Sequence, residues 1–159
     1  MVKINLYNNI LGGVNMEVII REIAVHDYPE VVSLWINVLG NRKVNLENFS
    51  LTLERMNKDG NYKTFVALFE NKVVGFITTA QALSFGDEIG YLHIQGLAVQ
   101  KELQNKGIGT KLLKYVENYS KRRGVSTIIL CSGFKRTDAH AFYEHNGYDK
   151  DSYCFDKGL

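Results

Sequence analysis

The sequence predicts an α/β fold of the α+β kind, a mixed and mostly antiparallel sheet with helices packed on it. Two observations carry that reading. Three strand-like runs, 63–70, 72–79 and 89–99, succeed one another across short polar turns, as antiparallel neighbours do. The third run then passes through a helix-period segment, 107–123, into another apolar run, 125–132. A helix between two strands forms a crossover, which leaves those strands parallel. With 159 residues, 45% of them hydrophobic and 23% charged, the chain has the size of one domain and a composition able to bury a core.

Residues 1–15 read as an N-terminal extension, because one lysine precedes an apolar centre too short for a secretion signal. The folded domain is expected over 16–159, with a β-branched first strand at 18–20. Asp27, Pro29 and Glu30 supply a capping carboxylate, an early-turn proline and a capping-box acid, so a helix should run from there to about residue 39. Val31, Val32, Leu34, Trp35 and Val38 form its apolar face and Gly40 its stop. A less regular helix is expected over 46–57, using Phe49, Leu51, Leu53 and Met56. Runs 63–70 and 72–79, the latter reaching toward Leu83, make a hairpin about Asn71, and 84–88 is a polar turn. In 107–123, Ile108, Leu112, Leu113, Val116 and Tyr119 share one face, while Lys121, Arg122 and Arg123 complement the negative helix end before Gly124. Run 125–132 reads as a fully buried strand, Asp138 as the cap of a last helix stopped by Gly147, and 148–157 as a returning strand.

A net charge of +2 provides no broad basic surface, so nucleic acid is not an expected partner. No apolar run approaches the roughly 18 residues a membrane span needs. Cys131 and Cys154 both stand in strand-like apolar runs and read as small buried hydrophobes of a reducing, cytoplasmic setting.

The chemistry concentrates where the run ending at Val99 reaches a polar turn and then two glycines. Gly107 and Gly109 leave the backbone open at a helix start, where amides without intrahelical partners and the helix dipole favour an anion such as a pyrophosphate. Lys106 and Lys111 add positive charge. The P-loop pattern is absent, and the dinucleotide fingerprint fails because Leu112 stands where its third glycine belongs. What remains is Q-x-x-G-x-G, formed by Gln104, Gly107 and Gly109. A second block, 138–148, reads A-x-x-F-Y-x-x-x-G-Y from Ala139 to Tyr148.

Together and in this order, the two blocks resemble the GCN5-related N-acetyltransferases, the GNAT family, over about residues 16–159. The resemblance implies the GNAT fold: six to seven strands with a splayed parallel pair, and about four flanking helices. It also implies acetyl-coenzyme A as cosubstrate, held in the splay by Leu97, Ala98 and Val99 along its pantetheine arm. Gln104, Asn105, Lys106, Gly107, Ile108, Gly109 and Thr110 would hold its pyrophosphate, and Phe142 would complete the site. This capture by main chain is taken as the reason for the glycines. No metal is implied; Asp138 and His140 read as capping and packing residues on one helix.

By the same resemblance Tyr143 is the acid that protonates the departing thiolate, since a phenol with a pKa near 10 keeps its proton at neutral pH. Many relatives carry a glutamate eleven residues before the motif glutamine. That position is His93 here, an imidazole competent as base but equally readable as structural, with Glu88 in reserve. Simple alternation puts His93, Gln95 and Leu97 on one strand face. The two early helices flank the acceptor mouth in the family, so the polar link 41–45 either lines a pocket or is a solvated loop.

The tail from Lys135 resembles the aminoalkylphosphonate N-acetyltransferases, in which case Lys135 or Arg136 would pair with a phosphonate. The reading is an N-acetyltransferase acting on the primary amine of a small molecule. An aminoglycoside, polyamine or protein amine, or a non-catalytic acyl-CoA sensor, are the alternatives. Tyr148, Tyr153 and Phe155 suit either a homodimer contact or the core.

Overall fold

The computed structural model describes residues 17–158; the expected extension, 1–15, lies outside the described residues. Five strands form one sheet in the order β1-β2-β3-β4-β5: β1 Ile19–Glu22, β2 Tyr62–Phe69, β3 Lys72–Ser84, β4 Asp87–Val99 and β5 Thr127–Leu130. The first four are antiparallel to their neighbours, and β4 and β5 are parallel. Four helices flank the sheet: α1 Tyr28–Asn37, α2 Leu46–Asn57, α3 Ile108–Arg122 and α4 Thr137–His145.

The β2–β3 hairpin turns on Glu70 and Asn71, both at positive φ, the left-handed pair that matches the twist of the strands it joins. Helix α2 begins where expected, because Asn45 and Asn48 cap each other: each side-chain oxygen accepts from the other's backbone amide, at 2.9 and 3.0 Å. Helix α3 buries Ile108, Leu112, Leu113 and Val116 against Phe65, Ile77, Leu92, Ile94 and Val99 on one sheet face. On the other face α1 packs Val31 and Leu34 against Val66, Val73, Phe76 and Ala98. At about 1.5–3 kcal/mol for each fully buried aliphatic side chain, these two clusters dominate the favourable side of folding.

Several expectations need correction. Asp27 does not cap α1; its carboxylate turns back to the preceding 3-10 turn, accepting from the Ala24 amide at 2.7 Å and from the Arg21 guanidinium at 2.6 and 2.8 Å. Asp138 lies inside the first turn of α4 rather than at its cap, which is Arg136. Strand β5 is half exposed, with Ile129 open on its outer face, because no helix covers that side. No strand forms over 148–157, so among the described residues five strands stand where six or seven were expected. That segment is polar at Asp149, Lys150, Asp151 and Asp156, and it meets no sheet edge. Tyr153 and Phe155 are accordingly exposed, not core, and both cysteines are exposed and free.

Asp27 is 2% exposed. Burial pushes its carboxyl pKa up, but the hydrogen bonds from Arg21 and Ala24, with the charges of Arg21 and His26, outweigh this and hold it below the ordinary carboxylate value. A depressed folded pKa stabilises the fold above the unfolded value of about 4, and that contribution is lost as pH falls through the folded pKa. Replacing Asp27 with Ala strands the Arg21 charge. The variant should lose roughly 2–3 kcal/mol in urea unfolding at pH 7, and its deficit should shrink below about pH 4.

Candidate active site

Strands β4 and β5 pair from Tyr91 and Thr127 to Ile94 and Leu130 and then part. At the same level β4 slips against β3: Thr79 faces Ile94 and Thr78 faces Gly96, which leaves Gln95 as the extra residue of a bulge. The bulge reverses the alternation. Leu92 and Ile94 point to the α3 face, and beyond Gln95 it is Leu97 and Val99 that do so, while Ala98 joins the α1 cluster. His93 and Leu97 therefore lie on opposite faces, not together.

The gap beyond Leu130 is a cavity of about 210 Å³, lined among others by Gln95, Gly96, Leu97, Ser132, Arg136 and Tyr143. Along this stretch β4 has β3 on one edge and no strand on the other. The hydroxyl of Ser132, a residue of this lining, is buried without a hydrogen-bond partner among the described residues, a state that disfavours leaving the cavity empty of polar groups.

At the far end of β4 the loop 100–107 leads into α3. The Gln104 side-chain amide donates to the Val99 carbonyl at 3.0 Å and so ties the loop back onto the strand end. Asn105 at φ 58° and Gly107 at φ 77° supply two left-handed positions that turn the chain into the helix. Helix α3 starts with no side-chain cap, and its first turn carries Ile108, Gly109 and Thr110. Among the described residues, nothing stands within 4 Å of where a Cβ on Gly107 would be. Gly109 is different: a Cβ there would lie 3.0 Å from the Phe142 ring. Its need for glycine includes the packing of α4 on the start of α3, which corrects the view that main-chain access alone accounts for both glycines.

Tyr143 stands in α4 with its ring edge-on to Phe142 at 5.2 Å and Tyr148 at 5.8 Å. Burial raises its pKa above the ordinary tyrosine value, and the nearby Arg136 charge offsets this only in part. The phenol thus stays protonated across the neutral range. His140 holds the approach to α4, its Nε2 lying 3.0 Å from the Gly133 carbonyl oxygen. No group of three or more metal-ligating side chains occurs among the described residues.

A second cavity, of about 290 Å³, lies between α1, α2 and the sheet. Trp35 and Gln95 belong to the walls of both cavities, and His93, half-buried two residues earlier, to neither. The 41–45 link lines pockets after all, with Asn41 in one wall and Val44 in the other.

The model of the acetyltransferase (GNAT) family matches residues 20–148. The chain belongs to that family. The GNAT chain is 29% identical over 116 residues to the uncharacterized N-acetyltransferase YhdJ of Bacillus subtilis, a match covering 72% of this chain and 81% of that protein. It is 31% identical over 101 residues to the aminoalkylphosphonate N-acetyltransferase of Salmonella typhimurium, covering 64% of this chain and 66% of the relative. In fold it is similar to a crystal structure of an aminoglycoside acetyltransferase from an uncultured soil metagenomic sample in complex with sisomicin. That likeness has a TM-score of 0.78 at 23% identity and covers 89% of this chain and 96% of the other. Membership makes the protein an acetyl-CoA-dependent acyltransferase, and no helix among its described residues is long and apolar enough to cross a membrane.

Three residues of this GNAT site were not read as site residues from the sequence: Gln95, named only as a face neighbour of His93, Trp35, named only on the apolar face of α1, and Ser132. Gly96 inside a strand was the available signal for the bulge. Its role is visible in the structure, since a Cβ there would come within 2.7 Å of the Trp35 indole. Glycine lets that ring lie on β4 and form the wall shared by the two cavities. Gly96→Ala should therefore displace Trp35 and destabilise the fold by about 1–3 kcal/mol in thermal or urea unfolding. The emission of Trp35, the chain's single tryptophan, should shift with it.

Proposed function

We propose that the protein transfers the acetyl group of acetyl-CoA to the primary amine of a small molecule by direct attack in a ternary complex. The observation that carries this reading is the junction of two cavities at Trp35 and Gln95, one opening from the β4–β5 splay and the other from the α1–α2 side. A donor in the first and an acceptor in the second would meet there.

The residues fit acetyl-CoA on their own chemistry. The partnerless Ser132 hydroxyl and the β4 edge at Leu97, Ala98 and Val99 suit the amides of a pantetheine arm. Residues Gln104 to Thr110, through Asn105, Lys106, Gly107, Ile108 and Gly109, surround an uncapped helix start suited to a pyrophosphate, with the Val99 carbonyl already engaged by Gln104. Phe142 supports this corner by packing on Gly109. Bound there, the thioester supplies an activated acyl carbon and a thiolate leaving group.

The chain's part is then proton handling and orientation. Tyr143, kept protonated by burial, gives its proton to the departing sulfur. His93 accepts the proton that the acceptor amine gives up in becoming the amide, through water because it lines neither cavity. A homodimer contact would fall on the exposed Tyr153 and Phe155.

Thiol release from acetyl-CoA in the presence of an amine panel tests the reading; no heat with acetyl-CoA or CoA in calorimetry would end it. Tyr143→Phe should lower kcat by about 10²-fold or more while acetyl-CoA affinity stays within twofold. An unchanged kcat would remove the phenol from the mechanism. His93→Ala should lower kcat/KM at least tenfold at neutral pH with acetyl-CoA affinity within twofold, and a kcat/KM equal to wild type would return His93 to a structural role.

A further inference from the structure

We infer that the acceptor is a small monoamine whose non-reacting end is uncharged and apolar, an arylalkylamine or branched alkylamine, seated between α1, α2 and the sheet with its amine at Gln95. This rests on the acetyl transfer proposed above and narrows it.

The walls of the 290 Å³ cavity are overwhelmingly apolar, built chiefly by Trp35, Val44, Phe49, Leu53 and Met56. Among the described residues, no Asp, Glu, Lys, Arg or His contributes to them. Most of the polar groups present are already engaged. The Thr64 and Thr78 hydroxyls bond each other at 2.8 Å, and the Asn48 side chain accepts from the Asn45 amide and donates to the Lys43 carbonyl at 2.9 Å. The Gln95 amide has no hydrogen-bond partner among the described residues, and it stands where this cavity meets the donor cavity. Gln95 at the junction and the neutral Thr52 hydroxyl are the polar lining side chains with no hydrogen bond among the described residues, and with greasy walls elsewhere they describe an acceptor whose charged or reacting end is single.

Charge decides against the other acceptors. A polyamine or an aminoglycoside brings further ammonium groups, which need carboxylates when removed from water, and the walls have none. An aminoalkylphosphonate brings a dianion. Of the cations expected to pair with it, Arg136 lines the donor cavity, and neither Arg136 nor Lys135 belongs to the walls of the acceptor cavity. The volume, at the lower limit of the about 300 Å³ upward usual for ligand pockets, suits one ring or branched chain rather than an oligosaccharide.

Bound next to Gln95, the neutral amine presents its lone pair to the thioester carbon while the side-chain oxygen of Gln95 accepts an N–H. The C–N bond forms, the C–S bond breaks, the amine proton leaves through the base, and the sulfur takes a proton. Gln95 orients and takes no proton.

The test compares kcat/KM in the thiol-release assay for 2-phenylethylamine and isoamylamine with that for 2-aminoethylphosphonate, spermidine, kanamycin and a tetrapeptide with an N-terminal Leu. The apolar monoamines should lead every other acceptor by at least tenfold. A charged acceptor or the peptide matching or exceeding them overturns the inference while leaving acetyl transfer intact. No thiol release with any amine, despite acetyl-CoA binding, overturns both.

Met56→Glu, which puts a carboxylate in the wall, should raise KM for 2-phenylethylamine at least tenfold, leave KM for acetyl-CoA within twofold, and be reversed by Met56→Leu. Equal KM values for wild type and the Glu variant refute the placement. Trp35 gives a readout independent of turnover: N-acetyl-2-phenylethylamine should change its fluorescence saturably in wild type, and N-acetylated 2-aminoethylphosphonate should not. The reverse pattern refutes the inference even for a variant too unstable to assay.

Discussion

The site depends on a pair of parallel strands that stops pairing halfway. Up to Ile94 and Leu130 the β4–β5 ladder satisfies main-chain groups on both strands; beyond it, β4 continues with β3 on one side and a cavity on the other. Backbone polar groups tolerate burial only when paired, so an open strand edge inside a fold needs water or a ligand to complete it. The bulge at Gln95 falls at the same level and is coupled to the parting. It kinks β4, increases its local twist, and carries one residue out of the alternation toward the opening. Splay, bulge and exposed amide are one distortion seen at three positions.

That distortion is held open from both faces by large side chains resting on glycines. On the α1 face the Trp35 indole lies against Gly96 and stacks beside Phe76, with centroids 5.3 Å apart. On the α3 face the Phe142 ring lies against Gly109. In each case the absent Cβ admits an aromatic ring, and the ring prevents collapse of the gap, a steric arrangement that needs no strained backbone. Gly107 works otherwise. No described residue crowds the position of its missing Cβ, and its left-handed φ is what the turn from loop to helix demands.

Much of this was legible in the sequence because local rules and tertiary demands agreed. The helix over 46–57, the hairpin at Asn71 and the β4–α3–β5 crossover each had period, cap or turn chemistry pointing one way, and each formed. Legibility failed where a long-range partner outcompeted a local signal. Asp27 is well placed to cap α1, yet the guanidinium of Arg21 draws its carboxylate to the preceding turn. Run 125–132 is as apolar as a buried strand, but burial needs a covering layer, and β5 has one on a single face. The residues at 149–158 carry aromatic spacing without a sheet edge to pair with. Alternation could not place Gln95, since a bulge cancels the period on which alternation rests.

The same failure explains why the motif blocks located the donor side and missed the acceptor side. Pyrophosphate capture by main chain demands particular glycines at particular spacings, so it leaves a pattern in the sequence near 104–109. An apolar acceptor wall demands only volume and the absence of charge. Val44, Phe49, Leu53 and Met56 meet that demand from a loop and a helix, in positions that also serve ordinary core packing. Leu53 illustrates the overlap, being at 4% exposure both a core residue of α2 and a cavity wall. Side chains with two duties leave no spacing of their own, and the acceptor mouth becomes visible only once α1, α2 and the bulged strand are assembled around it.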